Sequence, residues 1–168
     1  MPFSINPGVF PVMITPWKED NTPDFKAIEE LTNWYVEKGC DGIFAICQSS
    51  EMFFLSEKEK LDIARCVSET AAGRLQIVAS GHTACDRVTQ YREIENMMKI
   101  PGIGAYVLVS NRLDIKKKGK RLSENVWTIS SGHSRKYHLV SMSALLRGNV
   151  FSPRNFCMTM RLLINWYF

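Results

Sequence analysis

The chain has 168 residues, 45% hydrophobic and 23% charged, with a formal net charge of +4. That is enough for one ordinary domain with a real core, too little for two sizeable domains, and too apolar for a wholly disordered chain. No apolar run approaches the roughly 20 residues of a membrane helix, and Met1–Asn6 lacks the pattern of a secretory signal. Five irregularly spaced cysteines without a CxxC pair fit neither a zinc ribbon nor a disulfide framework, so reduced thiols in the cytoplasm are expected.

In chain order, Gly8–Thr15 is a short β-favouring run closed by Pro16 and reads as a strand. Asp24 caps a helix through about Lys38, with Ile28, Leu31, Trp34 and Tyr35 at helical spacing, and Gly39 ends it. Gly42–Cys47 is nearly all apolar, as in a strand buried on both faces. Ser56 opens the next helix, with Glu59 three residues on as a capping box and Leu61, Ala64 and Val67 as its stripe. Gln76–Ser80 reads as a third strand, Thr83 to about Lys99 as a third helix, and Ala105–Val109 as a fourth strand. Alternating strands and helices predict an α/β fold with a parallel sheet, either doubly wound or the first half of a (β/α)8 barrel. After about Asp114 the rhythm is lost, and no strand or helix is predicted.

Charge divides the chain at the same place. Residues 1–115 hold 11 Lys/Arg against 16 Asp/Glu, whereas residues 116–168 hold 10 against Glu124 alone. The switch begins at Lys116-Lys117-Lys118 and marks a boundary between a folded part, 1–115, and a basic tail, 116–168. Such a tail fits an arm for nucleic acid or an acidic surface, a solvated segment, or sequence never selected to fold.

Candidate chemistry concentrates after the second strand, in Cys47-Gln48-Ser49-Ser50-Glu51. The C-terminal ends of parallel strands are where α/β folds bind ligands, and hydroxyls and backbone N–H groups there can hold a carboxylate or phosphate. The plain alternative is a polar loop that caps the next segment. Glu51 fits an acid/base role or, with no second carboxylate beside it, a loop anchor accepting backbone hydrogen bonds. His82 follows the third strand and reads as a capping or packing residue at a helix start. Met97-Met98 and Phe53-Phe54 read as core or interface packing. No GxGxxG, Walker A, HExxH or GxSxG pattern occurs, so dinucleotide, P-loop and common hydrolase functions lose their usual support.

Gly8-Val9-Phe10-Pro11-Val12-Met13-Ile14-Thr15-Pro16-Trp17, then Asp24, Glu37-Lys38-Gly39-Cys40-Asp41-Gly42-Ile43, Gln48-Ser49-Ser50-Glu51 and Leu55-Ser56 form an ordered set. It resembles the dihydrodipicolinate synthase / N-acetylneuraminate lyase family of class I aldolases over about residues 7–114. The resemblance implies the first half of a (β/α)8 barrel, about four βα units. It also implies a lyase or aldolase that acts on pyruvate or another 2-oxo acid through a lysine Schiff base, with no cofactor or metal. Gln48, Ser49 and Ser50 then stand where the family usually has Thr-Thr-Gly or Ser-Thr-Gly, with Gln48 and Ser49 at the hydroxyl pair that holds the substrate carboxylate. Gln48 and Ser50 depart from the pattern, and Ser110-Asn111-Arg112-Leu113-Asp114 replaces the usual Pro-Tyr-Tyr.

The Schiff-base lysine of the family falls on a later strand, expected beyond Phe168. Lys116, Lys117 and Lys118 follow a loop, where solvation would keep them charged rather than nucleophilic. Tyr137–Leu145 can be encoded so that a frame one nucleotide earlier reads Ile-Ser-Leu-Gly-Ile-Tyr-Glu-Cys-Pro, which resembles the family's strand with a tyrosine followed by proline. Asn149–Phe156 can likewise give Gln-Arg-Leu-Leu-Thr-Pro-Glu-Phe, similar to the segment after that strand. The expectation is a truncated, catalytically incomplete family member whose tail is frame-shifted or disordered. A half barrel should expose sheet edges and one face of its core. The intact family implies a homo-oligomer with a 2-oxo acid as ligand, no membrane, and nucleic acid not expected. The rival readings are a non-enzymatic protein binding nucleic acid through its basic tail, or self-association through the open half barrel.

Overall fold

Three helices begin at side chains that accept the hydrogen bonds their first turns cannot make internally. A computed structural model of the chain describes residues 5–109 and the backbone of 138–142. Helix α1 spans Phe25–Glu37, where Asp24 Oδ1 accepts from Ala27 N at 3.2 Å. Gly39, at φ +71°, ends it in the left-handed region predicted for it. Helix α2 spans Glu57–Ala71 and carries the predicted capping box between Ser56 and Glu59. Ser56 holds the Glu59 carboxyl below its ordinary range by hydrogen bonding. Helix α3 spans Arg87–Met98 and starts later than the predicted Thr83, because the Asp86 carboxylate accepts from Thr89 N. The amides of Thr83 and Ala84 instead point at the Glu93 carboxylate, at 2.9 and 3.1 Å, and are spent outside any helix.

Strands β1 (Gly42–Phe44), β2 (Gln76–Ala79), β3 (Ile103–Val109) and β4 (His138–Met142) form one parallel sheet in chain order. β4 lies in the segment where no strand was predicted, and pairs over five residues from Ala105↔His138 to Val109↔Met142. The rest of the tail lies outside the described residues. The predicted first strand, Gly8–Thr15, is an extended segment beside β1 with a single bridge, Val12↔Phe44. It exchanges three backbone bonds with β1: Gly42 N to Val9 O, Phe44 N to Pro11 O, and Met13 N to Phe44 O. Pro11 accepts but has no N–H to donate, which limits the ladder.

Strands β1, β2 and β3 are buried on both faces. Ile43, Ala45, Ile46, Ile77, Ala79, Ile103, Tyr106 and Leu108 share a core with the helices through Ile28, Ile63, Ala64, Val67 and Met97. Phe44, Cys47, Val78, Ala105 and Val107 share a second cluster with Phe10, Ile5 and Val12. The expectation of an exposed core face therefore fails for these residues, since Phe44, Val78, Ala105 and Val107 are at most 3% exposed. The N-terminal segment lies against that face and inserts where the strands have no side chain. A Cβ on Gly104 would stand 2.6 Å from Ile5 Cδ1, and one on Gly42 would run into the Phe10 ring.

Trp34 departs from its predicted packing. Trp34 is half exposed on the outer side of α1 beneath the Lys38 ammonium, and Thr32 takes the buried position with its hydroxyl donating to Ile28 O at 2.8 Å. Met97 and Met98 are core residues as expected, whereas Phe53 and Phe54 are exposed. Gly42→Ala should destabilise the fold by about 1–3 kcal/mol, the usual range for overpacking; denaturant unfolding that leaves the midpoint unmoved would refute the Phe10–Gly42 fit.

Candidate functional site

The turn after β1 is built around a hydroxyl that faces inward. Ser50 is fully buried, and its Oγ lies 2.7 Å from Met13 O and 3.0 Å from Ala45 O. It has one proton to share between these carbonyls, and it accepts from Cys47 N at 3.1 Å. Thr15 donates to Ser50 O at 2.7 Å, and the Trp17 indole N–H donates to Glu51 Oε2 at 2.9 Å. Segment 13–17 and turn 47–51 are thus laced together by side chains. Backbone bonds Ser50 N to Cys47 O, Glu51 N to Gln48 O and Phe54 N to Glu51 O wind the turn tightly. Glu51 sits at φ +56°, a conformation L residues rarely adopt, and its bond to Trp17 helps hold it there.

Gln48 and Ser49 are exposed on this turn, while Ser50 is not. The structure therefore brings Gln48 and Ser49 to the surface together at the C-terminal side of β1 and turns the Ser50 hydroxyl into the scaffold. Glu51 is an anchor, but its partner is an indole rather than the backbone groups expected from sequence. Cys47 is buried with its Sγ 3.3 Å from Ser50 Oγ. Lys116, Lys117 and Lys118 lie outside the described residues.

His82 stands four residues before the N-cap of α3, in the loop after β2, and not at a helix start. It is fully buried between β2 and β3, with Nε2 accepting from Val109 N at 3.2 Å and Nδ1 3.0 Å from the Tyr106 hydroxyl. Because Val109 N–H can only donate, a neutral ring is assigned its proton on Nδ1, which donates to Tyr106. Burial pushes the Tyr106 phenol well above its ordinary range.

A buried ion pair beside this loop was missed by sequence reasoning. Lys60 Nζ donates to Gly81 O at 3.1 Å and Thr83 Oγ1 at 2.6 Å, and lies 3.9 Å from Glu93 Oε1. Lys60 and Glu93 are at most 8% exposed. A signal was present: Lys60 falls on the helical stripe of Ala64, Val67 and Ala71, the buried side of α2. Among the described residues no group of three or more His, Cys, Asp or Glu is placed to hold a metal ion, and no helix is long and apolar enough to cross a membrane.

Parallel strands in chain order, with α2 between β1 and β2, α3 between β2 and β3 and a polar turn after β1, are the first half of a (β/α)8 barrel. Solved structures agree in fold: a dihydrodipicolinate synthase family protein from Coccidioides immitis aligns with TM-score 0.73 at 15% identity, covering 83% of this chain and 44% of that one. The chloride-inhibited dihydrodipicolinate synthase of Acinetobacter baumannii, solved in complex with pyruvate, aligns with TM-score 0.68 at 20% identity, covering 82% and 45%. Residues 6–110 match the dihydrodipicolinate synthetase family, and the chain belongs to it.

Among curated relatives, the 4-hydroxy-tetrahydrodipicolinate synthase of Laribacter hongkongensis is 32% identical over 92 residues, 52% of this chain and 32% of that enzyme. The enzyme of the same name from Methanocaldococcus jannaschii is 35% identical over 78 residues, 46% and 27% respectively. The chain therefore spans only the N-terminal part of the family enzymes, about a third of the length of these relatives.

Ser50→Ala should cost about 1–3 kcal/mol, because the Cys47 N–H loses its buried acceptor and two carbonyls lose a donor; an unchanged unfolding free energy would refute the clamp. Tyr106 gives a second expectation. Its folded-state pKa is raised above the unfolded value of about 10. The stability it contributes is complete below that pH and is lost as pH rises through the folded-state value. The unfolding midpoint should fall with pH in that alkaline window, and Tyr106→Phe should flatten the fall; an equally steep curve for the variant would place its origin elsewhere.

Proposed function

We propose that the exposed turn bearing Gln48 and Ser49 receives the carboxylate of a 2-oxo acid such as pyruvate. Ser50 serves that pocket by fixing the turn from beneath. The observation that carries this reading is the turn's construction: polar side chains presented at a strand's C-terminal end, clamped by Ser50, Thr15 and Trp17, in a member of this family. The Acinetobacter baumannii relative solved with pyruvate supports the choice of ligand. Ser49 offers a hydroxyl proton and Gln48 an amide N–H, and a carboxylate accepts both without a formal positive charge in the turn.

Chemistry beyond binding needs a nucleophilic amine that is neutral near pH 7. Among the described lysines Lys60 alone is buried, and Gly81 O, Thr83 and Glu93 surround its ammonium. Its Nζ donates to Gly81 O and Thr83 Oγ1 and lies 3.9 Å from Glu93 Oε1, so this amine is committed to contacts within the fold and is not taken as the Schiff-base nucleophile. The reading is therefore a family member that keeps part of the carboxylate pocket and is catalytically incomplete. The end of the family match at residue 110, close to the change of charge at Lys116, supports a division between a family-derived part, 1–115, and a basic segment, 116–168.

Pyruvate titrated into the chain should bind, and Ser49→Ala should weaken that binding about tenfold, equivalent to about 1.4 kcal/mol for one hydrogen bond to a charged group. Borohydride added to the complex should leave the protein mass unchanged. A reduced pyruvate adduct on any lysine would overturn the incomplete-enzyme reading, and equal affinity in the Ser49 variant would overturn the pocket.

A further inference from the structure

The first described residues cross the sheet at one end, meeting its strands in reverse order. Ile5 meets β3, where its Cδ1 takes the space beside Gly104. Asn6 meets β2, its N–H donating at 2.6 Å to the side-chain oxygen of Gln76, the first residue of that strand. Val9 meets β1, donating from its N–H to Asp41 Oδ2 at 2.7 Å and accepting from Gly42 N at 3.2 Å. All these contacts fall at the N-terminal ends of the strands, away from the turn with Gln48 and Ser49. The reach suits such a crossing, because three neighbouring strands span about 10 Å and the four steps from residue 5 to residue 9 extend to about 13 Å.

The surface beneath this crossing and the bonds that hold it are unequal. Phe10 shares a cluster with Phe44, Val78, Ala105 and Val107, and Ile5 packs against it. The buried Lys and Glu side chains among the described residues, Lys60 and Glu93, belong instead to α2 and α3. The inner face of the sheet is therefore apolar and without buried charge among the described residues. Uncovered, it is a surface that two copies of the chain can bury against each other without charge repulsion. The bonds from Asn6 and Val9, by contrast, are exposed to water, and such bonds are among the first to open in local unfolding.

We propose that Ile5–Phe10 is a releasable strap that keeps the half barrel monomeric. Seated, it covers the apolar inner face; lifted, it lets a second copy of the chain pack there. The sheet is shaped for the seated position. Gly104 and Gly42 leave room where Ile5 and Phe10 lie, and Gly8 lets the backbone of the strap come close to the Asp41 side chain. The inference stands apart from the pocket, which lies at the other end of the strands.

The test is analytical sedimentation, with fluorescence of the apolar-surface dye ANS, of the 168-residue chain and two variants. The unaltered chain should sediment at 19.2 kDa with weak dye fluorescence. Ile5→Asp, which sets a carboxylate against the inner face, should brighten the dye severalfold and at least double the sedimenting mass while far-UV circular dichroism is retained. An unaltered chain that already associates, or an Ile5→Asp chain that stays monomeric and dark, would overturn the proposal. Gln76→Ala removes the clasp on Asn6 and decides the matter if Ile5→Asp loses its helical signal. In that variant the Gly42 amide, bonded to Val9 O, should exchange hydrogen about tenfold faster, the equivalent of about one hydrogen bond. The Ala45 amide, bonded to Val78 O, should keep its rate. No change at Gly42, or equal acceleration at both amides, would overturn the strap.

Discussion

A single hydroxyl proton shared between Met13 O and Ala45 O holds the N-terminal segment, strand β1 and the polar turn in one arrangement. Ser50 can do this because it is fully buried, where water does not compete for the carbonyls and an unmade bond is expensive. The consequences run outward. With Met13 fixed, segment 9–13 stays against β1, and Phe10 and Ile5 reach the spaces at Gly42 and Gly104. With the turn fixed, Gln48 and Ser49 have a definite place at the end of β1.

Strands β1 to β3, covered on both faces, leave little room for water, so the polar groups near their ends must satisfy one another. Two networks do so around the loop after β2. His82 joins β2 to β3 through Tyr106 and Val109 N, and Lys60 joins α2 to the same loop beside Glu93 of α3. Desolvating Lys60 and Glu93 costs energy that their attraction only partly offsets, so the pair is better understood as setting the position of the loop than as a source of stability. Thr83 and Ala84 spend their amides on the Glu93 carboxylate, which is why α3 begins only after Asp86.

Much of this architecture was legible in the sequence where the signal is local. Asp24 and Gly39 bounded α1, the Ser56–Glu59 spacing bounded α2, and the apolar run from Gly42 marked a strand buried on both faces. The site was legible to a smaller degree. Gln48 and Ser49 could be placed at a strand end by order alone, but nothing local showed that Ser50 turns inward, because neighbouring serines in a turn are chemically alike until the chain around them is folded. Trp17 as the partner of Glu51 lies 34 residues away in sequence, and β4 pairs with β3 despite a surrounding sequence without strand periodicity.

By itself, then, the sequence determined the class of fold, the order of its strands and helices, the change in charge at residue 116, and the resemblance that the family match over residues 6–110 bears out. These follow from hydrophobic period, capping chemistry and motif order, all read within a few residues of each other. Tertiary structure alone decided that Ser50 supports the turn while Gln48 and Ser49 face outward, that His82 bridges strands instead of capping a helix, and that Lys60 is buried. The physical reason is the same in each case. A polar side chain is committed by the partner it finds when water is removed, and here that partner comes from elsewhere in the chain.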